Sequence, residues 1–539
     1  MNYKDFTLIT ADSRKVIPGA LFVAVRGYAS DGHNYIQSAI DKGATGIICE
    51  EIPEQVRNEG TAEGVVPQIS GHPRPDNRRT REQRASLLAL SSEEEETNEV
   101  RNREGPTAGA EGAADGRGRV ATIGGTTPSG VQFEVVENSR KALALAADEF
   151  YDHPSRKLTL VGITGTNGKT TTVTLLYNLF RALGYQCGLL STIANYVGDE
   201  RYETENTTVD PVTLNELMAK MVEKGCQYCF MEVSSIGVEQ DRVTGLDFKL
   251  GIFSNLTHDH LDYHKTFAEY LRCKKLFFDN LSKDAIALIN VDDSHGQVMV
   301  QNTPAKVVTY SVKGLADHTA RVLEQSFEGM LLKIDGTEAW CRLIGAHNAY
   351  NLLAIYSAAV CLGADPTETL VALSSLESAP GRLENLRGPK DLAVVIDYAH
   401  TPDALQNVLE TLRAIARERQ LICLFGCGGD RDKSKRPEMA QIAQRLADRL
   451  VITSDNPRTE DPEAIIEDIK AGLTPEGMAK SLVIANRREA IRTAILTAPE
   501  GATILLAGKG HETYQIIGHE KTHFDEKEIV EETFKLILK

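Results

Sequence analysis

Hydrophobic and polar positions over the first 52 residues are spaced for short, closely packed elements. Ala20-Leu21-Phe22-Val23-Ala24-Val25 reads as a strand, residues 35–42 as a helix and Gly46-Ile47-Ile48-Cys49 as a second strand. Patterning resumes at Gln132-Phe133-Glu134-Val135-Val136, a strand, and Asn138 is placed to cap a helix reaching about Tyr151. From Leu158 onward apolar runs alternate with amphipathic stretches. Residues 158–163 read as a strand, 170–183 as a helix, and 230–233 and 250–253 as further strands. A second series of strands is expected at 393–396, 421–425, 449–453 and 503–506, with helical patterns between them. This rhythm predicts an α/β fold with mostly parallel sheets covered by helices on both faces. Pro380-Gly381 separates the two series and reads as a hinge.

A chain of 539 residues is too long for one core, and about 150 residues per domain gives three domains. The expected boundaries are 1–155, 156–379 and 380–539. Residues 53–130 break the pattern: they contain no aromatic residue and include Ser91-Ser92-Glu93-Glu94-Glu95-Glu96. Such a stretch buries too little apolar surface to offset its ordering entropy, so it reads as a disordered insertion in the first domain. The formal net charge of −17 argues against nucleic-acid binding, which runs on basic surface. No apolar run nears the roughly 20 residues that span a bilayer, and the start, Met-Asn-Tyr-Lys-Asp-Phe, has no apolar signal core. The expected location is the cytoplasm, with no membrane partner. Nine cysteines in such a chain read as thiols, with Cys226 and Cys229 as small buried residues at a strand end.

The chemistry begins at Gly162-Ile-Thr-Gly-Thr-Asn-Gly168-Lys169-Thr170, which fits G-x-x-x-x-G-K-[ST] between a predicted strand and a predicted helix. Glycines there let backbone N–H groups approach phosphate oxygens, and the helix N-terminus favours negative charge. Lys169 would neutralise the outer phosphates, and the Thr170 hydroxyl suits Mg²⁺. ATP or another nucleotide is therefore expected. An N-K-x-D base-reading motif is absent, and the nearby apolar strand ends Met231-Glu232-Val233-Ser234-Ser235 where a motor would carry Asp or Asp-Glu.

Thr164-Gly165-Thr166-Asn167-Gly168-Lys169-Thr170-Thr171 resembles the Mur ligases and their relatives, the folylpolyglutamate synthetases. Ahead of it, Asp12-Ser13-Arg14 with Pro18-Gly19-Ala20-Leu21-Phe22 resembles the UDP-binding N-terminal domain of one branch, and Asn206-Thr207-Thr208, Glu232-Val-Ser-Ser and Asp259-His260-Leu261-Asp262-Tyr263-His264 follow in order. So do Gly381-Arg382-Leu383-Glu384, Asp397-Tyr398-Ala399-His400-Thr401-Pro402, Gly429-Asp430-Arg431-Asp432, Asp455-Asn456-Pro457-Arg458 and Gly508-Lys509-Gly510-His511-Glu512. Together they resemble the Mur ligase branch that extends UDP-MurNAc-L-Ala-D-Glu with diaminopimelate. The resemblance spans the chain outside about 53–130. Ile236 departs from it, standing where that branch commonly has His.

The resemblance implies a three-domain architecture: a UDP-binding N-terminal domain, a central P-loop ATPase domain of mostly parallel sheet, and a Rossmann-like C-terminal domain that carries the amino acid. It implies phosphorylation of the D-Glu γ-carboxylate by ATP and attack of an amine on the acyl phosphate, by a monomer. Lys169, Glu232, His260 and Lys274 are the implied catalytic set. Thr170, Glu232 and His260 would be Mg²⁺ ligands, joined by Lys274 as a CO₂-derived carbamate. Gly165, Thr166, Asn167, Gly168 and Thr171 would complete the ATP site with Asn351, Arg382, Asp397 and His400. Ser13, Thr207, Thr208, Ser234 and Arg242 match the branch's contacts to the UDP-MurNAc-dipeptide. Arg431, Asp455, Asn456, Arg458, Gly508 and Glu512 match its contacts to diaminopimelate.

Each of these residues also has a plainer reading. Glu232 can be a strand-end acid, His260 a partner of Asp259 or Asp262, and Lys274 one of a solvated pair with Lys275. Asn351 can be a helix-face amide, and Arg382 a surface ion-pair member. His400 can be a structural imidazole, and Arg458 a partner of Glu460 or Asp461. The hydroxyl residues can equally cap turns and helices. At the level of function, three alternatives compete: a lysine-adding enzyme of the same family, a folylpolyglutamate synthetase, and a nucleotide-binding regulator without catalysis. Arg458 favours diaminopimelate over lysine, because only diaminopimelate has a distal carboxylate for a bidentate partner.

Overall fold

The computed structural model describes residues 1–27, 30–52, 123–126, 130–204, 206–257 and 261–538. They form two compact units, one of Met1 with residues 12–139 and one of residues 2–11 with 140–539.

In the first unit Leu21–Val23 pairs in parallel with Gly46–Cys49, which pairs in parallel with Gln132–Val135. Helix Ile36–Asp41 connects the first two strands, as the pattern predicts. Ile123–Thr126 pairs antiparallel with Gln132–Val135. That is a correction: these four residues fall inside the stretch expected to be a disordered insertion, yet they complete a ladder. The rest of that stretch, apart from Gly130, lies outside the described residues.

The second unit holds two sheets with separate cores. The first has a parallel centre in the order Lys306–Ser311, Ile286–Asn290, Phe248–Phe253, Thr159–Thr164, Tyr228–Glu232, Cys187–Leu190. Successive side chains point to opposite faces of a strand. Accordingly, Val161, Ile163 and Phe230 join one apolar core with helices Lys169–Ala182 and Ala346–Cys361. Leu160, Cys229 and Met231 join the other, with helices Pro211–Glu223 and Phe267–Asp279. His318–Ser326, Gly329–Ile334 and Thr337–Cys341 extend one edge as an antiparallel meander that the sequence pattern does not reveal.

The second sheet runs Glu384–Arg387, Ala393–Asp397, Thr503–Ala507, Leu421–Phe425, Arg449–Ile452, Ser481–Val483. All neighbours are parallel except the first pair. The expected strands at 393–396, 421–425, 449–453 and 503–506 are therefore present, adjacent to one another. A hairpin, Tyr514–Ile517 with Glu520–His523, follows the last parallel strand. Among the described residues no helix is long and apolar enough to cross a membrane. All nine cysteines are free thiols, and burial pushes the Cys226 and Cys229 thiols up.

Candidate active site

Three neighbouring strand ends build the phosphate loop. Thr159–Thr164 leads into it, and its flanking strands Tyr228–Glu232 and Phe248–Phe253 deliver Glu232 and the segment 254–257. Gly165 lies at φ +153°, where a Cβ would sit 1.9 Å from Ser254 Oγ. Gly168 caps helix Lys169–Ala182 at φ +86°, and a Cβ there would meet Asn351 Oδ1 at 2.5 Å. Only glycine fits both places. The loop is fixed from below by residues that sequence reasoning missed. Asn255 O accepts from Thr166 N at 2.8 Å, and Asn255 Oδ1 accepts from Asn167 N at 2.9 Å. Ser254 Oγ donates to Asn167 O at 2.7 Å. The Thr166 hydroxyl accepts from Thr257 N at 2.9 Å and lies 3.1 Å from Tyr270 OH.

Two lysines converge on this loop. Lys169 Nζ donates to Gly165 O and Thr166 O, each at 2.9 Å. Lys274, from helix Phe267–Asp279, is buried and donates to Gly165 O at 2.7 Å, with its ammonium 4.7 Å from the Tyr270 ring centre. Lys274 is thus no solvated partner of Lys275, which pairs instead with Asp279. Thr170 and Thr171 open the helix and are buried.

Glu232 is buried at the end of its strand. Its Oε1 accepts from Thr192 N at 2.8 Å and lies 3.1 Å from Thr192 Oγ1, itself 3.1 Å from Thr207 Oγ1. Its Oε2 is buried with no hydrogen-bond partner among the described residues. A buried carboxylate oxygen without a donor is costly, and a cation would satisfy it. Thr208 Oγ1 donates to Glu232 O and accepts from Ser234 N, each at 3.0 Å, while Ser234 Oγ caps the short helix Ser235–Glu239. Both hydroxyls therefore hold local structure. Arg242 binds Thr208 O and Gln240 Oε1, so it braces the same turn. His260 and Asp259 lie outside the described residues. Among the described residues there is no cluster of three His, Cys, Asp or Glu that could hold a metal.

The C-terminal sheet repeats the principle on four adjacent parallel strands, whose C-terminal ends carry Asp397, Gly508, Gly426 and Thr453 into loops. Asp397 accepts from Leu383 N at 2.8 Å and Ala399 N at 2.9 Å; burial raises its carboxyl pKa, against the opposing pull of Arg382. Among the described residues Arg382 forms no ion pair: its guanidinium stacks over Tyr398 at 4.9 Å, and its buried Nε has no hydrogen-bond partner there. Gly381 lies at φ +64° with room for no side chain, since a Cβ would meet Gly510 C at 2.1 Å. His400 is exposed and its Nδ1–H donates to Tyr398 O at 2.8 Å. Asn351 is buried, donates to Asn348 Oδ1 at 2.7 Å and faces Gly168, which makes it part of the phosphate-loop region.

Arg458 sits in the left-handed region, φ +50°, a conformation that non-glycine residues adopt at a cost. Its Nη1 donates to Gly429 O at 2.9 Å and lies 3.5 Å from Asn456 O. Neither Glu460 nor Asp461 is its ion-pair partner: Glu460 is taken by Arg436 and Lys433, and Asp461 caps helix Pro462–Lys470. Asn456 Nδ2 donates to Glu512 Oε2 at 2.8 Å. Asp455 Oδ1 accepts from Asn456 N at 2.6 Å, and its Oδ2 would lie 2.7 Å from a Cβ on Gly508. Arg431 is exposed and donates to Asp430 O at 3.0 Å. In the first unit, Ser13 O accepts from Lys42 Nζ at 2.8 Å, and neighbouring Asp12 forms a two-pronged pair with Arg14 that lowers its carboxyl pKa to about 2.

Comparison with known proteins matches this layout segment by segment. Residues 5–87 match the Mur ligase family, catalytic domain; 163–359 the Mur ligase middle domain; and 381–510 the Mur ligase, glutamate ligase domain. A UDP-N-acetylmuramoyl-L-alanyl-D-glutamate--2,6-diaminopimelate ligase from Cytophaga hutchinsonii is 46% identical over 98% of this chain and 94% of its own. The chain belongs to the Mur ligase family. A ligase of the same description from Bacteroides fragilis is 46% identical over 99% of this chain and 95% of its own. Among solved Mur ligases, one described as UDP-N-acetylmuramoyl-L-alanyl-D-glutamate--2,6-diaminopimelate ligase is 28% identical, with a TM-score of 0.63 over 99% of this chain and 96% of that one. A MurF ligase from Thermotoga maritima in complex with ADP shares the fold at 17% identity and a TM-score of 0.56, covering 100% of this chain and 99% of its own. As a Mur ligase, the chain is an ATP-dependent amino-acid ligase.

Proposed function

We propose that this Mur ligase joins diaminopimelate to the γ-carboxylate of D-Glu in UDP-MurNAc-L-Ala-D-Glu, in peptidoglycan precursor synthesis. The observation that carries the choice of amino acid is Arg458. Its Nη1 rests on Gly429 O and Asn456 O, which holds the guanidinium between the 428–429 loop and the Asp455-Asn456 loop with no ion pair to Glu460 or Asp461. A distal carboxylate is the substrate feature such a fork matches.

In this reading the phosphate loop binds ATP, with Lys169 against the outer phosphates. Asn351 and Asp397 hold the nucleoside, His400 stands beside it, and Arg382 turns from Tyr398 to the phosphates. The γ-carboxylate takes the γ-phosphoryl group and ADP leaves. The amine of diaminopimelate, having lost its proton, then attacks the acyl carbon; the new C–N bond forms as the C–O bond to phosphate breaks. Arg431 holds the carboxylate beside the attacking amine. Arg458 takes the distal carboxylate, and Glu512 with Gly508 O takes the distal ammonium. Thr207, Thr208, Ser234 and Arg242 serve the UDP-MurNAc-dipeptide, several of them through the backbone they brace, and Ser13 is the first unit's own candidate contact to that substrate.

Glu232, Thr170 and His260 are the residues that would hold Mg²⁺, and the unpartnered Glu232 Oε2 fits that role. Bound there, the ion would draw charge from the phosphate oxygens. Lys274 would act as a carbamate: its neutral amine adds to CO₂ and releases a proton, which leaves one N–H for Gly165 O and an anion in place of a cation. Cytoplasmic location and a monomeric state belong to the same reading.

The test is phosphate release with ATP, UDP-MurNAc-L-Ala-D-Glu and a panel of amino acids. Diaminopimelate should give the highest kcat/KM. Higher efficiency with lysine, or turnover that needs no UDP-linked substrate, would refute the reading.

A further inference from the structure

Lys509 is fully buried, yet it is a cation. Its Nζ donates to Glu512 Oε2 at 2.9 Å and to Asn456 Oδ1 at 3.1 Å. The ammonium also lies 5.6 Å from the Tyr514 ring and 5.7 Å from the Phe524 ring, both at the open end of the C-terminal hairpin. Asn456 Oδ1 accepts a second bond from Ile516 N at 3.0 Å, so its amide has one orientation, with Nδ2 toward Glu512. Both bonds to Glu512 land on Oε2, and neither engages Oε1.

The charges on these two loops can be counted. Asp455 and Glu512 are carboxylates; Arg458 and Lys509 are cations. Beneath them, Arg487 and Glu526 are a fully buried pair that neutralises itself. His511, on the same loop, is held near a pKa of about 4 by burial, then by Arg382 and His400, and adds no charge at neutral pH. Those four charges sum to zero, with Arg431 left to the carboxylate beside the attacking amine and Arg382, beside His511, left to the phosphates. The distal end of diaminopimelate, ammonium plus carboxylate, also sums to zero, whereas the distal end of lysine is a bare cation.

We propose that Lys509 is a positioning residue that sets amino-acid specificity: by balancing Glu512 it keeps the pocket neutral, so that it receives a zwitterionic distal group in preference to a bare ammonium. This rests on the diaminopimelate reading and deepens it. An excess negative charge in a low-dielectric pocket would attract lysine directly; Lys509 removes that excess without touching the substrate.

The experiment measures kcat/KM for diaminopimelate and for lysine, at saturating ATP and UDP-MurNAc-L-Ala-D-Glu, in the full-length wild type and three variants. Lys509→Met makes the pocket net −1 and should lower the diaminopimelate-to-lysine ratio by about tenfold or more, equivalent to about 1.4 kcal/mol. Lys509→Arg keeps the charge and should hold the ratio near the wild-type value. Glu512→Gln makes the pocket net +1; both efficiencies should fall, but lysine further, so the ratio should rise. Equal losses for both substrates in Lys509→Met would overturn the proposal. If that variant does not fold, Glu512→Gln decides alone, and a ratio that holds or falls overturns it. Wild-type preference for lysine would overturn the substrate reading as well. Wild-type preference for diaminopimelate with unmoved ratios in the variants overturns this inference only.

Discussion

Replacing Arg458 by alanine separates what the residue does for the fold from what it does for the substrate. In the free enzyme its guanidinium gives up a 2.9 Å bond to Gly429 O and a 3.5 Å contact to Asn456 O, and its φ of +50° strains any side-chain-bearing residue alike. Those losses precede substrate binding and fall equally on every amino acid. What differs is the ligand. Diaminopimelate would be left with a carboxylate desolvated and unpaired, a loss of about 2–5 kcal/mol for a charge partner at an interface. Arg458 is half-buried, so the lower end applies, and about 2 kcal/mol is roughly 30-fold at 1.4 kcal/mol per tenfold. Lysine has no carboxylate there, so its efficiency should fall only by the common part. Arg458→Lys should lie between, because it keeps the charge and loses the fork. The assay is kcat/KM for both amino acids at saturating ATP and UDP-MurNAc-L-Ala-D-Glu. Equal falls for the two in Arg458→Ala would mean that the arginine serves the loop alone, and the physical basis for choosing diaminopimelate would be gone.

Three further outcomes are expected. Lys274→Ala should abolish most activity, with partial rescue by a short carboxylate; an active wild-type enzyme whose Lys274 titrates as a free amine by carbon-13 NMR would contradict the carbamate. Arg487→Met should lower stability to urea by about 3–5 kcal/mol, since it strands buried Glu526; a loss under 1 kcal/mol would show that the pair is not held as described. Glu460, whose pKa Arg436, the Asp430 backbone and Lys433 hold down to about 2, stabilises the native state above the ordinary carboxylate pKa and loses that contribution as pH falls toward 2. Glu460→Gln should therefore flatten the fall in melting temperature between about pH 4.5 and 2, and an unchanged slope would assign the acid sensitivity elsewhere.

The central strands were legible because parallel strands buried on both faces read as unbroken apolar runs. Residues 421–425, Leu-Ile-Cys-Leu-Phe, are such a run and are buried throughout. Not every central strand was read, Cys187–Leu190, Ile286–Asn290 and Lys306–Ser311 being missed, and the faintest strands lie in antiparallel ladders outside the parallel centres. His318–Ser326 mixes exposed Arg321 and Glu324 with a single buried residue, Ala320, so its alternation is faint. Ile123-Gly124-Gly125-Thr126 has the composition of a loop, because glycine is poor in strands. Its order comes from the ladder with Gln132–Val135, a tertiary fact that no local window contains.

The candidate site divides along the same line. The phosphate loop is contiguous, so its motif carried Gly165, Gly168 and Lys169 directly. Residues of the C-terminal site are assembled by sheet order: the ends at Asp397, Ala507, Phe425 and Ile452 are neighbours in an order unlike their order in the chain. Family motifs name the residues expected to meet ligands, but they say nothing of the groups that hold them. Arg487 shows why. Its Nη2 donates to Ala507 O at 2.8 Å and its Nη1 to Ser454 O at 3.3 Å, the carbonyls just before Gly508 and Asp455. One buried guanidinium thus sets the spacing of the two loops that Lys509 then ties from above through Asn456 and Glu512. Both cations lie inside helical or loop patterns that read as solvated surface, because a charge in sequence carries no sign of burial. Only the fold supplies the carboxylates and carbonyls that make burial tolerable, and by doing so it turns two ordinary-looking basic residues into the frame on which amino-acid choice depends.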